Sequence, residues 1–334
     1  MGILKSDAHL IIKHIDNLKQ ESWLATSQEW WVDHLFHFND ISNAVEILKS
    51  SCLLSRVELE RQSKLKTDIA SPEVLAGTPA GWKGYVRLYF RPRTPMQYRN
   101  EGFRPINKRE LGGAHCPVPI IFIFHSKPIL TAIDTKYSDG NLAAGAQTSD
   151  TVDFFLSLPF EKIYHDANLW GLSDGAKRNI IFHRHAEVIV PKQLDLTNLK
   201  FIWCRSQAEF ETLIDVLPHK TYTKWAKKIG VGNKALLFYA KWSFITKTDL
   251  DAATITFHFN PSQTPSPFHA KLEIMELKTK DVFSWEKDDF NAHDKESFSL
   301  TNLKHPESYL VKFWLDGQLA YQNHFIEEAA EVPF

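Results

Sequence analysis

An α+β chain that closes with a small antiparallel β-sandwich is predicted on three grounds. As far as Ser206, segments with strand character are interspersed with helically periodic ones. Neither a G-x-G-x-x-G run nor a G-x-x-x-x-G-K-[ST] run occurs, which argues against a Rossmann or P-loop sheet. From Ala253 onward the pattern is alternation, through TITFHF, HAKLEIMEL, SFSL and YLVKFWLDGQLAYQNHFI, with Asp316-Gly317 as a hairpin turn between two strands. With 334 residues, 43% of them hydrophobic, the chain can bury a sizeable core. The pattern divides it into residues 1–210, a helical connector 211–250 and the sandwich 251–334.

The first unit is His34–Leu54, HLFHFNDISNAVEILKSSCLL. LFHF has the character of a short strand holding His37, and Asp40 or Ser42 can then cap a helix whose apolar positions Ile41, Ala44, Val45, Ile47 and Leu48 recur at helical spacing. A side chain that ends a strand just ahead of a helix start meets unsatisfied N–H groups and positive potential, which suits an anion. A histidine on an apolar strand also serves as ordinary core.

The second unit is Tyr85–Tyr98, YVRLYFRPRTPMQY. It begins as a strand, after which Pro92 and Pro95 force an extended, rigid turn that carries Arg93. A guanidinium held there engages phosphate through two parallel hydrogen bonds and stays charged at physiological pH. Arg91 and Arg93 can equally just solvate the strand end, and Arg91 is the better candidate for ordinary surface.

Arg184–Val190, RHAEVIV, places Glu187 inside what reads as a buried strand. Val188, Ile189 and Val190 are β-branched, Pro191 stops the run, and NIIFH precedes it. An unpaired carboxylate there is costly, so Glu187 faces solvent, pairs with an arginine or lines a pocket. On a continuous strand His183 and His185 share its face, but no Cys or Glu stands at recognised ligand spacing, so no metal is expected. Residues 207–250 read as helical, with AEFETLIDVL and KWAKKIG as amphipathic pieces.

In this order, HFNDISNAVEIL (37–48), YVRLYFRPRTPMQY (85–98), PVPIIFIF (117–124), FEKIYHDANL (160–169), RHAEVIVP (184–191) and FIWCRS (201–206) resemble the DarT family of nucleic-acid ADP-ribosyltransferases. The resemblance covers about residues 30–210 and implies an ADP-ribosyltransferase-like split β-sheet core with helices. It implies NAD as the ADP-ribose donor, bound in the cleft of that sheet, and transfer to a nucleobase. Glu187 and Arg93 are then catalytic; His37, Asn43, Tyr89 and Tyr98, with Arg93, surround the cofactor. The face of His183, His185 and Glu187 would line the NAD cleft or its rim. Tyr137 to Asn179 would form the region that reads the substrate, long here and containing Gly140, Gly145, Gly171 and Gly175. Single-stranded DNA is the first expectation for the acceptor and mRNA the alternative; an inactive NAD, ADP-ribose or nucleic-acid binding module is a second alternative. The biological role implied is a bacterial toxin or anti-phage effector, restrained by an antitoxin of macrodomain or other type. The sandwich departs from the minimal family pattern.

The chemistry fits these residue types. Cleaving the bond from nicotinamide to ribose builds positive charge at the anomeric carbon, so a nearby carboxylate stabilises the transition state more than the ground state. The formal net charge of −1 excludes broad coating of a polyanion, so nucleic-acid recognition should be local. Arg87, Arg91, Arg93, Arg99, Arg104, Lys108 and Arg109, beside Tyr89, Tyr98 and Phe103, make a mixture suited to a short single strand with stacked bases. Three cysteines, Cys52, Cys116 and Cys204, leave no even disulfide framework, and no apolar run reaches membrane-spanning length, so a cytoplasmic protein is expected. The Met1-Gly2 start with Ser6 meets the minimal myristoylation pattern, a signal of low specificity.

Overall fold

The computed structural model describes residues 3–70, 72–232, 234–262 and 267–327; the Met1-Gly2 start lies outside the described residues. The N-terminal part carries strands β1 (His34–Asp40), β2 (Cys52–Leu54), β3 (Tyr85–Tyr89), β4 (Pro119–His125), β5 (Lys136–Ser138), β6 (Thr148–Ser149), β7 (Glu187–Pro191), β8 (Gln193–Asp195), β9 (Leu199–Cys204) and β10 (Ile229–Val231). Eight of these form one sheet in the order β10-β9-β4-β1-β3-β7-β5-β6, and β2 pairs separately with β8.

The centre of the sheet follows from the most apolar segment. PIIFIF of β4 is buried along its length, between β9 and β1, as expected for a strand covered on both faces. β4 pairs with β1 from His34↔His125 to Asp40↔Pro119, and β3 pairs with β7 from Tyr85↔Pro191 to Tyr89↔Glu187. Between β1 and β3 the ladder shrinks to one register pair, Phe36 opposite Tyr89. Two half-sheets therefore meet at a point and diverge beyond it, which is the split sheet that the resemblance implies.

Local signals place the flanking elements. Asp40, rather than Ser42, caps the helix Ile41–Ser50: its Oδ1 accepts the Ser42 N–H at 3.0 Å and the Ser42 hydroxyl at 2.8 Å. The expected buried stripe is present, with Ile41, Ala44, Ile47 and Leu48 inside. Two expectations fail nearby. NIIFH is not strand but the end of a helix, Asp174–His183, started by Ser173, whose side chain accepts from the Ala176 N–H. The cap, an acidic first turn and the helix-favouring Ala176, Lys177 and Arg178 outweigh the two isoleucines. The strand accordingly begins at Glu187, so His183 and His185 do not continue its face.

Helices Gln207–Val216 and His219–Trp225 match the helical reading of 207–250, but Ile229–Val231 is a strand at the edge of the large sheet, parallel to β9. Phe244–Leu250 is strand β11, whose β-branched Ile245, Thr246 and Thr248 favour the pleat. It starts the sandwich with β12 (Thr254–Asn260), β13 (Phe268–Glu276), β14 (Val282–Phe290), β15 (Lys295–Ser299), β16 (Ser308–Leu315) and β17 (Gln318–Ile326). Sheet β11-β12-β15 faces sheet β14-β13-β16-β17, with the Phe257 ring 4.7 Å from that of Phe313 and 5.7 Å from that of Tyr321. Asp316 and Gly317 both have positive φ, 47° and 73°, the backbone that a two-residue type I′ hairpin requires.

One hydrophobic core runs through both parts. The Tyr321 hydroxyl donates to Glu211 at 2.8 Å and Gln322 Nε2 to Asp215 at 2.8 Å, fixing β17 to the helix Gln207–Val216. Among the described residues no helix is long and apolar enough to cross a membrane.

Candidate active site

Glu187 opens β7 and is 4% exposed. Its backbone is fixed by Ser138 of β5, whose hydroxyl accepts the Glu187 N–H at 2.9 Å. Its carboxylate Oε2 is buried with no hydrogen-bond partner among the described residues, and the nearest cation is Arg87 Nη1 at 3.7 Å. Of the three readings of Glu187, pairing with an arginine is thus observed, loosely. Burial pushes this carboxyl above its ordinary pKa, and the Arg87 charge and a hydrogen bond from Tyr89 oppose that rise. Tyr89, the register partner of Glu187, has its own hydroxyl pushed well up by burial and by the Glu187 charge, so it stays a proton donor. Sequence reasoning passed over Arg87 as a partner for the acid; its place two residues before Tyr89, on the same face of β3, was the available signal.

A cavity of about 210 Å³ opens where the half-sheets part. His37 and Asn39 of β1, Asn43, and Tyr85, Arg87 and Tyr89 of β3 form its polar side, while Met96 and Trp82 add apolar surface. His37 bridges the split: its Nδ1–H donates to the Arg87 carbonyl at 3.0 Å, which leaves Nε2 as acceptor toward Asn39 Nδ2 at 3.4 Å. Burial lowers the pKa of His37 and keeps the ring neutral. Asn43 holds the far wall. Its Oδ1 accepts the N–H groups of Lys66 (2.9 Å) and Thr67 (3.2 Å), and its Nδ2 donates to Asn39 Oδ1 (2.8 Å) and the Thr67 carbonyl (2.6 Å). The loop it secures, Thr67 to Ala70, is cavity lining that the sequence did not disclose.

Glu187 and Arg93 both stand outside the residues that line this cavity: Glu187 lies behind Arg87 and Tyr89, which do line it, and Arg93 lies just past the Tyr89 end of β3. Its Nη1 pairs with Asp166 Oδ2 at 3.2 Å and its guanidinium covers the Tyr239 ring, 4.9 Å from the centroid. Arg91, expected at the surface, is 1% exposed: it pairs with Asp166, donates to the His165 carbonyl and sits over Trp31. Arg184 completes the group, donating to the Ala167 carbonyl at 2.6 Å, and burial and the neighbouring Arg91 push its pKa down to about 10. Three guanidinium groups thus gather around one carboxylate, Asp166, which leaves positive potential three residues before Glu187 in the chain. The arginines near Arg93 that the sequence offered as a loose basic run are mostly committed elsewhere. Arg104 packs on Trp242 and pairs with Glu110, Arg109 pairs with Asp316, and Phe103 is 1% exposed, so it is core and offers no face to a base.

Tyr98 is placed apart from the cavity, against Tyr239 and beneath Lys241. His183 and His185 bond to the carbonyls of Asp139 and Ile181, away from Glu187, and no group of three metal-ligating side chains is found among the described residues. Between β5 and β7, Gly140 has no room for a Cβ, which would fall 2.2 Å from the Phe182 ring. Farther along this segment Trp170 projects into solvent, 87% exposed.

The description "ssDNA thymidine ADP-ribosyltransferase, DarT" matches residues 36–235. Among solved structures, Thermus sp. 2.9 DarT in complex with ADP-ribosylated ssDNA is 18% identical, at a TM-score of 0.46, over 62% of this chain and 96% of that one. Thermus sp. 2.9 DarT in complex with NAD+ is 18% identical at 0.44, over 62% and 98%. Thermosipho africanus DarTG in complex with ADP-ribose is 19% identical at 0.45, over 66% and 53%. Comparison with curated proteins gives no match. Since the family match spans more than half of the chain, the protein belongs to DarT, a family of NAD-dependent ADP-ribosyltransferases.

Proposed function

We propose that this protein transfers ADP-ribose from NAD to a base of single-stranded DNA, with thymidine the acceptor that the family description favours. The observation that carries the reading is the buried Glu187 carboxylate, with an unpartnered oxygen, at the point where the sheet splits. A buried acid with an unpartnered oxygen is costly to keep and marks a candidate functional group.

NAD supplies an activated glycosidic bond between nicotinamide and ribose. Glu187 stabilises positive charge developing at the anomeric carbon and accepts the proton from the attacking base. Arg87 and Tyr89 oppose the upward push of burial and so favour the ionised form that this role uses. The apolar Met96 and Trp82 exclude water, and neutral His37 presents Nε2 as a hydrogen-bond acceptor. The arginine cluster beyond β3 offers charge for a pyrophosphate or a DNA phosphate. Trp170 offers a face on which a base stacks.

The same reading extends to a toxin or anti-phage role restrained by an antitoxin that removes ADP-ribose. Incubating the protein with labelled NAD and, separately, single-stranded DNA, RNA and a protein mixture tests the acceptor. Label on DNA is expected, with Glu187→Gln lower by about 10²–10⁴-fold. Label only on RNA or only on protein, or undiminished transfer by the variant, overturns the corresponding part of the reading.

A further inference from the structure

Arg93 is held by a residue from outside the stretch that matches the family. Its backbone has φ of +56°, a left-handed conformation that a non-glycine residue keeps only when its surroundings impose it. Two side chains impose it here. Gln97 Oε1 accepts the Arg93 N–H at 3.2 Å, and the Tyr239 hydroxyl donates to the Arg93 carbonyl while the Tyr239 ring lies under the guanidinium.

Tyr239 is itself pinned. Its N–H and that of Ala240 both donate to the buried Glu101 carboxylate at 2.9 Å, and Asn260 of β12 donates to the Ala240 carbonyl at 3.1 Å. Glu101 is also bound by Gln97 Nε2 at 2.9 Å, so both clamps on Arg93 converge on one buried acid.

We propose that Tyr239, on the segment joining the family-matched region to the sandwich, is a positioning residue for Arg93. The inference rests on the reading of Arg93 as a group that acts on NAD. Tyr239 fixes the backbone of Arg93 through its hydroxyl and the plane of the guanidinium through its ring. The sandwich enters the site through the Asn260 anchor.

The test is a double-mutant cycle in the full chain, reading kcat/KM for transfer from labelled NAD to single-stranded DNA, with melting curves for every variant. Tyr239→Phe keeps the ring and should lower kcat/KM by roughly 3–10-fold; Tyr239→Leu should lower it by roughly 30–100-fold. In an Arg93→Ala background, followed at high enzyme concentration, neither change should lower transfer further. Equal losses in both backgrounds, or wild-type rates in the Tyr239 single variants, overturn the inference. Arg93→Ala at the wild-type rate overturns the reading of Arg93 beneath it, an outcome the single variant separates from the other two. If Tyr239→Leu does not fold, the Tyr239→Phe cycle decides alone.

Discussion

At the residue scale the site turns on how little supports the Glu187 charge. One arginine at 3.7 Å and one tyrosine oppose the effect of burial. The acid limb of kcat/KM should therefore lie above the range of an ordinary glutamate, with activity lost as pH falls through the raised pKa. Arg87→Met removes the charge that lowers this pKa, so a pH–rate profile should show the limb moved to higher pH; an unmoved limb would mean another group titrates. Linkage gives a stability counterpart. A carboxyl whose folded pKa is raised contributes stability below its unfolded pKa and loses it as pH rises through the folded value. Glu187→Gln should thus melt higher than wild type at pH 8 and show little gain at pH 4. The acid was legible in the sequence because a carboxylate among β-branched residues is conspicuous. Its partner was not, since Arg87 in YVRLYF looks like any outward residue until β3 is paired with β7.

At the level of elements, the strand–turn–helix units were legible wherever a cap or turn residue marked them: Asp40 before its helix, and Asp316-Gly317 in the last hairpin. Reading failed where periodicity was ambiguous. NIIFH has the composition of a strand but stands at the end of a helix begun by Ser173, and VFSWEKDDF of β14 hides behind the charges that guard an edge strand. The loop Thr67 to Ala70 carries no motif and is defined by the bonds it receives. The N–H and carbonyl of Thr67 and the N–H of Lys66 depend on Asn43, so Asn43→Ala should leave these three groups unsatisfied and cost about 1–3 kcal/mol. Because the same loop lines the cavity, the KM for NAD should rise more than kcat falls. Denaturant melts and steady-state kinetics check both; a variant with wild-type stability would show that water replaces the amide.

For the molecule as a whole, the sequence divided the chain at a change of pattern, and pattern does not report adhesion. The sandwich shares a hydrophobic core with the rest, Phe103 N–H donates to the Ser243 carbonyl at 2.8 Å, and Arg109 reaches Asp316 in the last hairpin. Calorimetry should accordingly give one cooperative transition, and two separated ones would show that the sandwich folds independently. Glu101 carries this unity to the level of chain architecture. Its carboxylate takes donors from Arg205 on one side and from Tyr239 and Ala240 on the other. A fragment ending at residue 235, where the family match ends, would strip two amides from an acid sealed away from water. The stretch that matches the family and the stretch that folds therefore have different ends: a protease cut or a gene truncation at residue 235 should release an unstable fragment.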